Sequence, residues 1–337
     1  MTLRERFHKV MNGDPGVDKG PVIEWASWWN KTIALWEQEG IPKNLDQQEL
    51  FRYFGLDQIL QYWPSIISKD CPRRQTENMV PIIIENEDDY ERLKPYFFSE
   101  DVFEQHAQSI RQKQAELGEE NHLLWYTLEG FFWFPRSLFG DEAHLYSFYD
   151  YPELYHRICE DLLAWQIKYV DYICQYARPD FMTIAEDMSY NNGPMLSGEH
   201  FKEFIMPYYK RLIPEIKKYG TKVFVDSDGD ISLMLPWLIE AGVEGILPLE
   251  RQAGVDLNVL RKEYPDFMFI GGFDKMCLLR GPEDIRKEFE RLLPVIESGR
   301  YIPSVDHQTP PGTTLDNYKY YVELLHKYSL RSCRACQ

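Results

Sequence analysis

The sequence is poor in several things, and each shortage narrows what the chain can be. No apolar run approaches the roughly 18–20 residues that a membrane-crossing helix needs. The opening Met1-Thr2-Leu3-Arg4-Glu5-Arg6 lacks the apolar core of a secretory leader, so the expectation is a soluble, cytoplasmic protein. Positive charge is scarce: 37 Lys plus Arg stand against 54 acids, a formal net charge of −17. Nucleic acid and anionic membrane surfaces are therefore poor partners, because phosphate binding calls for a basic face. Cysteine is sparse too, with six scattered at 71, 159, 174, 277, 333 and 336 rather than spaced as a disulfide framework. Cys333-x-x-Cys336 has a metal or redox spacing, but it lies in a polar tail where two reduced thiols in a frayed terminus are expected. There is no Gly-x-Gly-x-x-Gly turn, internal repeat, low-complexity segment or interdomain linker.

What is present is an aromatic-rich apolar complement, 44% hydrophobic and 15% aromatic, enough for one large core in 337 residues. From residue 121 the chain alternates strand-like and helix-like stretches. Strands are predicted over Leu123–Leu128, Phe181–Ala185, Lys222–Val225, Gly245–Leu249, Phe267–Ile270 and Tyr301–Val305. Helices follow near Pro135–Phe139, over Tyr151–Tyr176 and Gly198–Lys218, near Ile231–Ala241, and over Asp256–Glu263, Pro282–Glu297 and Thr314–Tyr328. Gly220, Gly242 and Gly299 sit where helix ends meet the next strand. Before residue 121, Pro21–Trp25 and Val80–Glu85 read as strands, whereas Gly55–Ser68 reads either way. Helices are predicted over Asp46–Phe54, Asp88–Lys94 and Ser99–Glu116. Such alternation argues for a parallel sheet, and seven or eight units fit an α/β (β/α)₈ barrel in a single domain. The domain carries an N-terminal helical extension over about 1–20 and a disordered C-terminal tail over about 330–337.

The strands end in acids. Lys222-Val223-Phe224-Val225 runs straight into Asp226-Ser227-Asp228-Gly229-Asp230, three carboxylates that a fold can gather only beside a cation, a proton or water. Glu186 with Asp187, Glu250 with Arg251, Asp274 with Lys275, and Asp306 with His307 follow other strands. In a barrel the C-terminal strand ends form the active-site mouth, so these residues become a site hypothesis. The bland alternatives are helix capping for the Asp226 group, especially Asp230, and self-contained ion pairs for Glu250/Arg251 and Asp274/Lys275. Trp25, Trp28, Trp29, Tyr126, Phe131, Phe132 and Trp133 are either rim packing or the wall of an aromatic pocket for a flat or methylated ligand. Tyr190 and Glu129 are placed as acid/base groups by position alone, and Cys277 reads as a buried thiol.

Several segments carry a family resemblance, strongest over roughly residues 180–320. Met195-Leu196-Ser197 with Phe201, Phe204, Met206-Pro207-Tyr208 and Lys210, the turn Gly271-Gly272-Phe273-Asp274, and His307 followed by Pro311-Gly312-Thr313-Thr314-Leu315-Asp316-Asn317-Tyr318 resemble the uroporphyrinogen decarboxylase family. That family also holds corrinoid:coenzyme M methyltransferases, and its fold is a (β/α)₈ barrel. Where the decarboxylases carry an Arg-Gln-Ala-Gly-Arg segment for the tetrapyrrole carboxylates, this chain has Glu24-Trp25-Ala26-Ser27-Trp28-Trp29. An acid and three tryptophans cannot take over from two arginines. The zinc motif of the methyltransferases, His-x-Cys-Gly, falls on Asp226-Ser227-Asp228-Gly229, and the last zinc cysteine falls on His307.

The resemblance therefore implies a metal site remade with hard ligands, Asp226, Asp228 and His307 with Glu186 as a fourth, for zinc, manganese or ferrous iron. It implies a metal-assisted methyltransferase that moves a methyl group between a small substrate and a thiol or a corrinoid carried by a partner protein. His307, Asp228, Glu186 and Tyr190 would carry the chemistry. Trp25, Trp28, Trp29, Tyr126, Arg251, Lys275, Asp274 and Glu250 would bind substrate, and a homodimer is compatible with the sequence. Two alternatives stay open: a decarboxylase or lyase for a small carboxylic acid, and a non-catalytic barrel that binds a tetrapyrrole or corrinoid.

Overall fold

The computed structural model describes residues 1–73 and 83–334. Among the described residues, seven strands form one curled, wholly parallel sheet: β1 (Gln58–Tyr62), β2 (His122–Glu129), β3 (Phe181–Ala185), β6 (Lys222–Asp226), β7 (Gly245–Leu247), β8 (Met268–Phe273) and β9 (Tyr301–Val305), bonded in that order. Two further short strands, β4 (Ser189–Tyr190) and β5 (Gly193–Pro194), pair as an antiparallel hairpin above the sheet. All six strand stretches predicted from residue 121 onward are in place to within one residue at their start and about three at their end. For Gly245–Leu249 the strand stops at Leu247, before the cis peptide bond to Pro248.

The eighth position is occupied but not by a strand. Pro21–Trp25, predicted as the first strand, forms no ladder and instead lies between the free edges of β1 and β9. Its polar groups are met mostly by side chains. The Val22 N–H donates to Asp57 Oδ2 at 2.8 Å and the Trp25 N–H to Ser304 Oγ at 3.2 Å. The Glu24 carboxylate accepts from Ser304 Oγ and from the Val305 N–H at the β9 edge, and it meets the Tyr318 hydroxyl. At the β1 edge, Gln48 Nε2 donates to the free Ile59 carbonyl at 2.8 Å. A proline at its start and a buried carboxylate at its centre make this stretch unsuited to a ladder, so the barrel closes through side chains.

Helix Leu3–Asn12 closes the N-terminal ends of the strands. Thr2 and Glu5 form a capping box, and Phe7, fully buried, stacks on Phe181 at 5.3 Å between ring centroids. Phe181 in turn stacks on Trp125 at 5.3 Å. Arg4 Nε and His8 Nε2 both reach Asp180 at 2.9 Å. The inner face of the sheet carries a polar chain above this plug: Trp125 Nε1 donates to Thr183 Oγ1 at 2.8 Å, Thr183 meets Thr127 at 3.0 Å, and Gln61 Nε2 donates to Thr127 at 2.9 Å.

Three other predictions need correction. Ile83 and Ile84 are not in a strand, because both donate their N–H groups to the Leu138 carbonyl; residues 80–82 of that predicted strand lie outside the described residues. Asp141–Asp150 is a helix of its own, which the sequence reading passed over. The tail is not frayed over 330–334: Ser332 and Cys333 are buried, the Cys333 thiol against the Val10 carbonyl, and Cys336 lies outside the described residues. Among the described residues, no helix is long and apolar enough to cross a membrane.

Candidate functional site

At the C-terminal ends of the strands lies a cavity of about 330 Å³. Its contributors come from across the chain. Trp25 enters from the gap segment, Gln61 and Trp63 from the end of β1, and Trp125 from β2, stacked on the aromatic plug beneath it. Asp187 comes from just past β3, Asp226 and Asp228 from the end of β6, and His307 from just past β9. The Trp25 indole N–H is tied to the Val305 carbonyl at 2.6 Å, and its ring meets His307 edge to face at 6.3 Å. A second cavity of about 280 Å³, lined by Glu24, shares Trp25, Gln61 and Trp125 with the first and opens where the eighth strand is missing.

The electrostatics of the cavity are dominated by carboxylates. Asp226 is half-buried in the cavity wall and, among the described residues, its carboxylate has no hydrogen-bond or ion-pair partner. Desolvation first, then repulsion from Asp187 and Asp228, pushes its pKa well above the ordinary carboxylate range. Asp187 is raised by desolvation and by the Asp228 charge, although its Oδ1 accepts the Asp228 N–H at 3.3 Å. His307 Nε2 stands 3.5 Å from Asp228 Oδ2, and this partner holds the imidazole above its usual pKa against the opposing effect of burial. The position of Gly229 is forced: at φ 82° it passes so near Tyr190 that an added Cβ would lie 2.7 Å from that residue's backbone. This close approach fixes the Asp226–Asp230 loop under the β4–β5 hairpin.

Of the sequence-predicted site residues, the structure brings Asp226, Asp228, His307 and Trp25 together. The others are spoken for elsewhere. Glu186, expected as a ligand and catalytic group, is wholly buried and turned away from the cavity. Its Oε1 accepts from the Phe131 N–H at 3.0 Å and the Tyr209 hydroxyl at 2.6 Å, and its Oε2 from the N–H groups of Phe132 and Trp133 at 2.8 and 3.0 Å. It is the N-terminal anchor of helix Trp133–Phe139, the bland reading of an acid in that position. Gly130 is glycine because a Cβ there would stand 2.0 Å from this carboxylate. Burial pushes Glu186 up to about 7, and the four donors pull the other way.

Tyr126 is buried on the outer face of β2 against Tyr62 and Tyr169, so the aromatic that faces inward is its neighbour Trp125. Trp28 is buried in a cluster with Trp36, Phe51 and Tyr318. Trp29 is exposed on a rim groove that shares Ser27 and Gln308 with the cavity, and Tyr190 is exposed on the hairpin. Asp274 caps the short helix that begins at Cys277 and pairs with Arg280 at 3.0 Å, while Cys277 is a buried thiol beside it. Arg251 turns back onto the Val255 carbonyl and Asp256. Lys275 and Glu250 pair with each other at 3.1 Å, and Glu250 Oε2 also accepts the Gly229 N–H. Glu129 shares the inner face of β2 with Trp125 and Thr127, and its buried Oε2 has no partner among the described residues.

A metal centre built from Asp226, Asp228, His307 and Glu186 does not fit these positions. Glu186 has its oxygens committed to four donors, Asp228 and His307 face each other, and among the described residues no group of three or more His, Cys, Asp or Glu side chains is arranged to hold a metal ion. What the sequence reading missed is the aromatic floor and wall: Trp125, Trp63 and the polar Gln61. The signal for Trp125 was within reach, since β2 alternates and its Thr127 shares the same parity.

Comparison with known proteins supplies the family. The family model for uroporphyrinogen decarboxylase (URO-D) matches residues 73–328. A uroporphyrinogen decarboxylase of Hydrogenobaculum sp. is 27% identical over 54% of this chain and 50% of its own length. The methylcobamide:CoM methyltransferase MtbA of Methanosarcina acetivorans is 20% identical over 66% of this chain and 64% of its own. The chain thus spans about half to two thirds of the length of these relatives. Among solved structures, a methyltransferase from Methanosarcina mazei superposes with a TM-score of 0.72 over 97% of this chain and 99% of that one, at 16% identity, which shows a shared fold. A curled parallel sheet with its acids at the C-terminal strand ends, and a family model that runs through most of it, place this chain in the uroporphyrinogen decarboxylase family.

Proposed function

We propose that this chain is a methyltransferase, one that moves a methyl group between a small substrate held in the strand-end cavity and a thiol or the corrinoid of a partner protein. The observation that carries the reading is the charge of the cavity. Uroporphyrinogen decarboxylation requires a basic pocket for many carboxylates. Here Glu24 and Trp25 stand where the arginine segment would be, and among the described residues no Lys or Arg lines the cavity. Three aspartates repel a polyanionic tetrapyrrole. Both named activities occur among the relatives, and an acidic, tryptophan-walled pocket suits the second.

His307 is the proton donor in this reading. As the methyl carbon leaves, its heteroatom keeps the bonding pair and takes a proton from the imidazolium that Asp228 holds charged. Trp25 and Trp125 position the methyl-bearing end and exclude water. Because the expected ligand set does not fit a metal, no step here depends on one.

The test offers methylated small molecules to the purified chain with free reduced cobalamin or a thiol as acceptor, following the acceptor's spectrum and mass. Methylated acceptor with wild type, and about a 10²-fold loss of kcat in His307→Gln, is the expected result. Carbon dioxide release from a small carboxylic acid with no methylated acceptor would replace this reading with a lyase.

A further inference from the structure

The three aspartates of the cavity have less positive charge around them than they need. His307 is the one titratable cation among the described lining residues, and it is engaged with Asp228. Asp187 sees Arg136, but the Arg136 guanidinium donates to the Asp187 carbonyl at 3.1 Å and to the Asp141 carboxylate at 2.6 Å. The Lys275 ammonium is held by Glu250 and Asp306. That leaves Asp226, half-buried in the cavity wall and, among the described residues, without a partner. A carboxylate partly withdrawn from water beside two others is costly unless a ligand supplies the missing cation or proton.

The second observation is independent of the acids: the same cavity is walled by Trp25, Trp63 and Trp125. Two of these are locked by their N–H groups, Trp25 to the Val305 carbonyl and Trp125 to Thr183, so what remains to line the cavity is hydrocarbon edge and π face. Indole faces attract cations, and they favour diffuse, weakly hydrated ones that also need apolar contact. A bare divalent ion asks instead for oxygen or nitrogen ligands converging at one point, which this side-chain set does not offer. A volume of about 330 Å³ matches a small organic ion.

We infer that the methyl-bearing substrate of this cavity is an N-methylated ammonium ion, seated with its methyl groups against Trp25, Trp63 and Trp125 and its charge against Asp226 and Asp187. This rests on the methyl-transfer reading and deepens it. The reaction balances without an added oxidant or reductant. The C–N bond breaks with its electron pair left on nitrogen, the methyl carbon bonds to the thiolate or reduced corrinoid acceptor, and the amine released takes up the proton of the His307 imidazolium. The acids thus hold the charge that the departing methyl group removes from nitrogen.

Binding can be measured without any methyl acceptor, so failure here is separable from failure of methyl transfer. Tryptophan fluorescence and calorimetry would compare choline with 3,3-dimethylbutan-1-ol, its neutral carbon isostere, on the full chain. Saturable choline binding with the isostere at least about tenfold weaker is expected, from one cation–π contact and one carboxylate. Asp226→Asn should lose about tenfold for choline and little for the isostere. Trp63→Ala, at a half-exposed side chain where folding is not at stake, should narrow the gap between the two ligands. Equal affinity for the two ligands, or no saturable choline binding by a folded wild type, overturns the inference. Methyl transfer from a neutral methyl ether would then leave the broader reading standing.

Discussion

Glu24 is the most exacting test of how this barrel closes, because its carboxyl takes the place of a strand ladder. It is buried among Ser304, the Val305 N–H and Tyr318, and burial pushes its pKa up to about 8 from an ordinary 4.5. The folded state therefore holds the proton more tightly than the unfolded chain does. Stability from this group is greatest below the unfolded value, falls as pH rises through the interval, and levels off above the folded value. Each pH unit within the interval costs roughly 1.4 kcal/mol. Glu24→Gln keeps the shape and the acceptor oxygen for Ser304 and Val305 but cannot ionise, so it escapes this loss. Between about pH 5.5 and about pH 8.5 the variant should gain about 3 kcal/mol on the wild type. For a chain of this length that corresponds to about 4 °C in melting temperature. Urea unfolding of both proteins, read by tryptophan fluorescence across that range, measures the difference directly, since titrations common to both cancel. A difference that stays flat with pH, or a variant destabilised equally at every pH, refutes the account of Glu24 as a neutral buried acid.

Other outcomes follow from the site. Asp226→Asn should raise the melting temperature at neutral pH, by the equivalent of about 1–2 kcal/mol, because it removes repulsion from Asp187 and Asp228; an unchanged or lower value would show that the carboxylate has a stabilising partner. Glu186→Gln should destabilise by about 2–4 kcal/mol, since an amide N–H₂ must face backbone donors at one of the two oxygens; thermal melting measures it, and a neutral effect would mean the carboxylate is not the helix anchor. In the methyl-transfer assay, the rate should fall as pH rises through the pKa of His307, which must be protonated to act. Asp228→Asn should move that fall to lower pH, and an unmoved profile would remove His307 from the acid role.

The sequence by itself determined the alternation of strands and helices and, with it, the end of the barrel where Asp226, Asp228 and His307 collect. Apolar runs of strand length with acids at their ends can be read locally, because a buried parallel strand excludes charge until it reaches the surface. It did not determine which neighbour faces inward. Tyr126 was chosen where Trp125 points into the barrel, because β2 is buried on both faces and only Thr127 and Glu129, of Trp125's parity, mark the inner one. Glu186 was chosen where Asp187 lines the cavity, because β3 too is buried on both faces, and the parity that Thr183 and Ala185 share with Asp187 marks the inner side only once the sheet has closed. The eighth strand was likewise a tertiary decision. Pro21–Trp25 has a strand's composition, yet the bonds that seat it come mainly from Asp57, Ser304 and Tyr318, residues far away in sequence whose position only the closed barrel fixes.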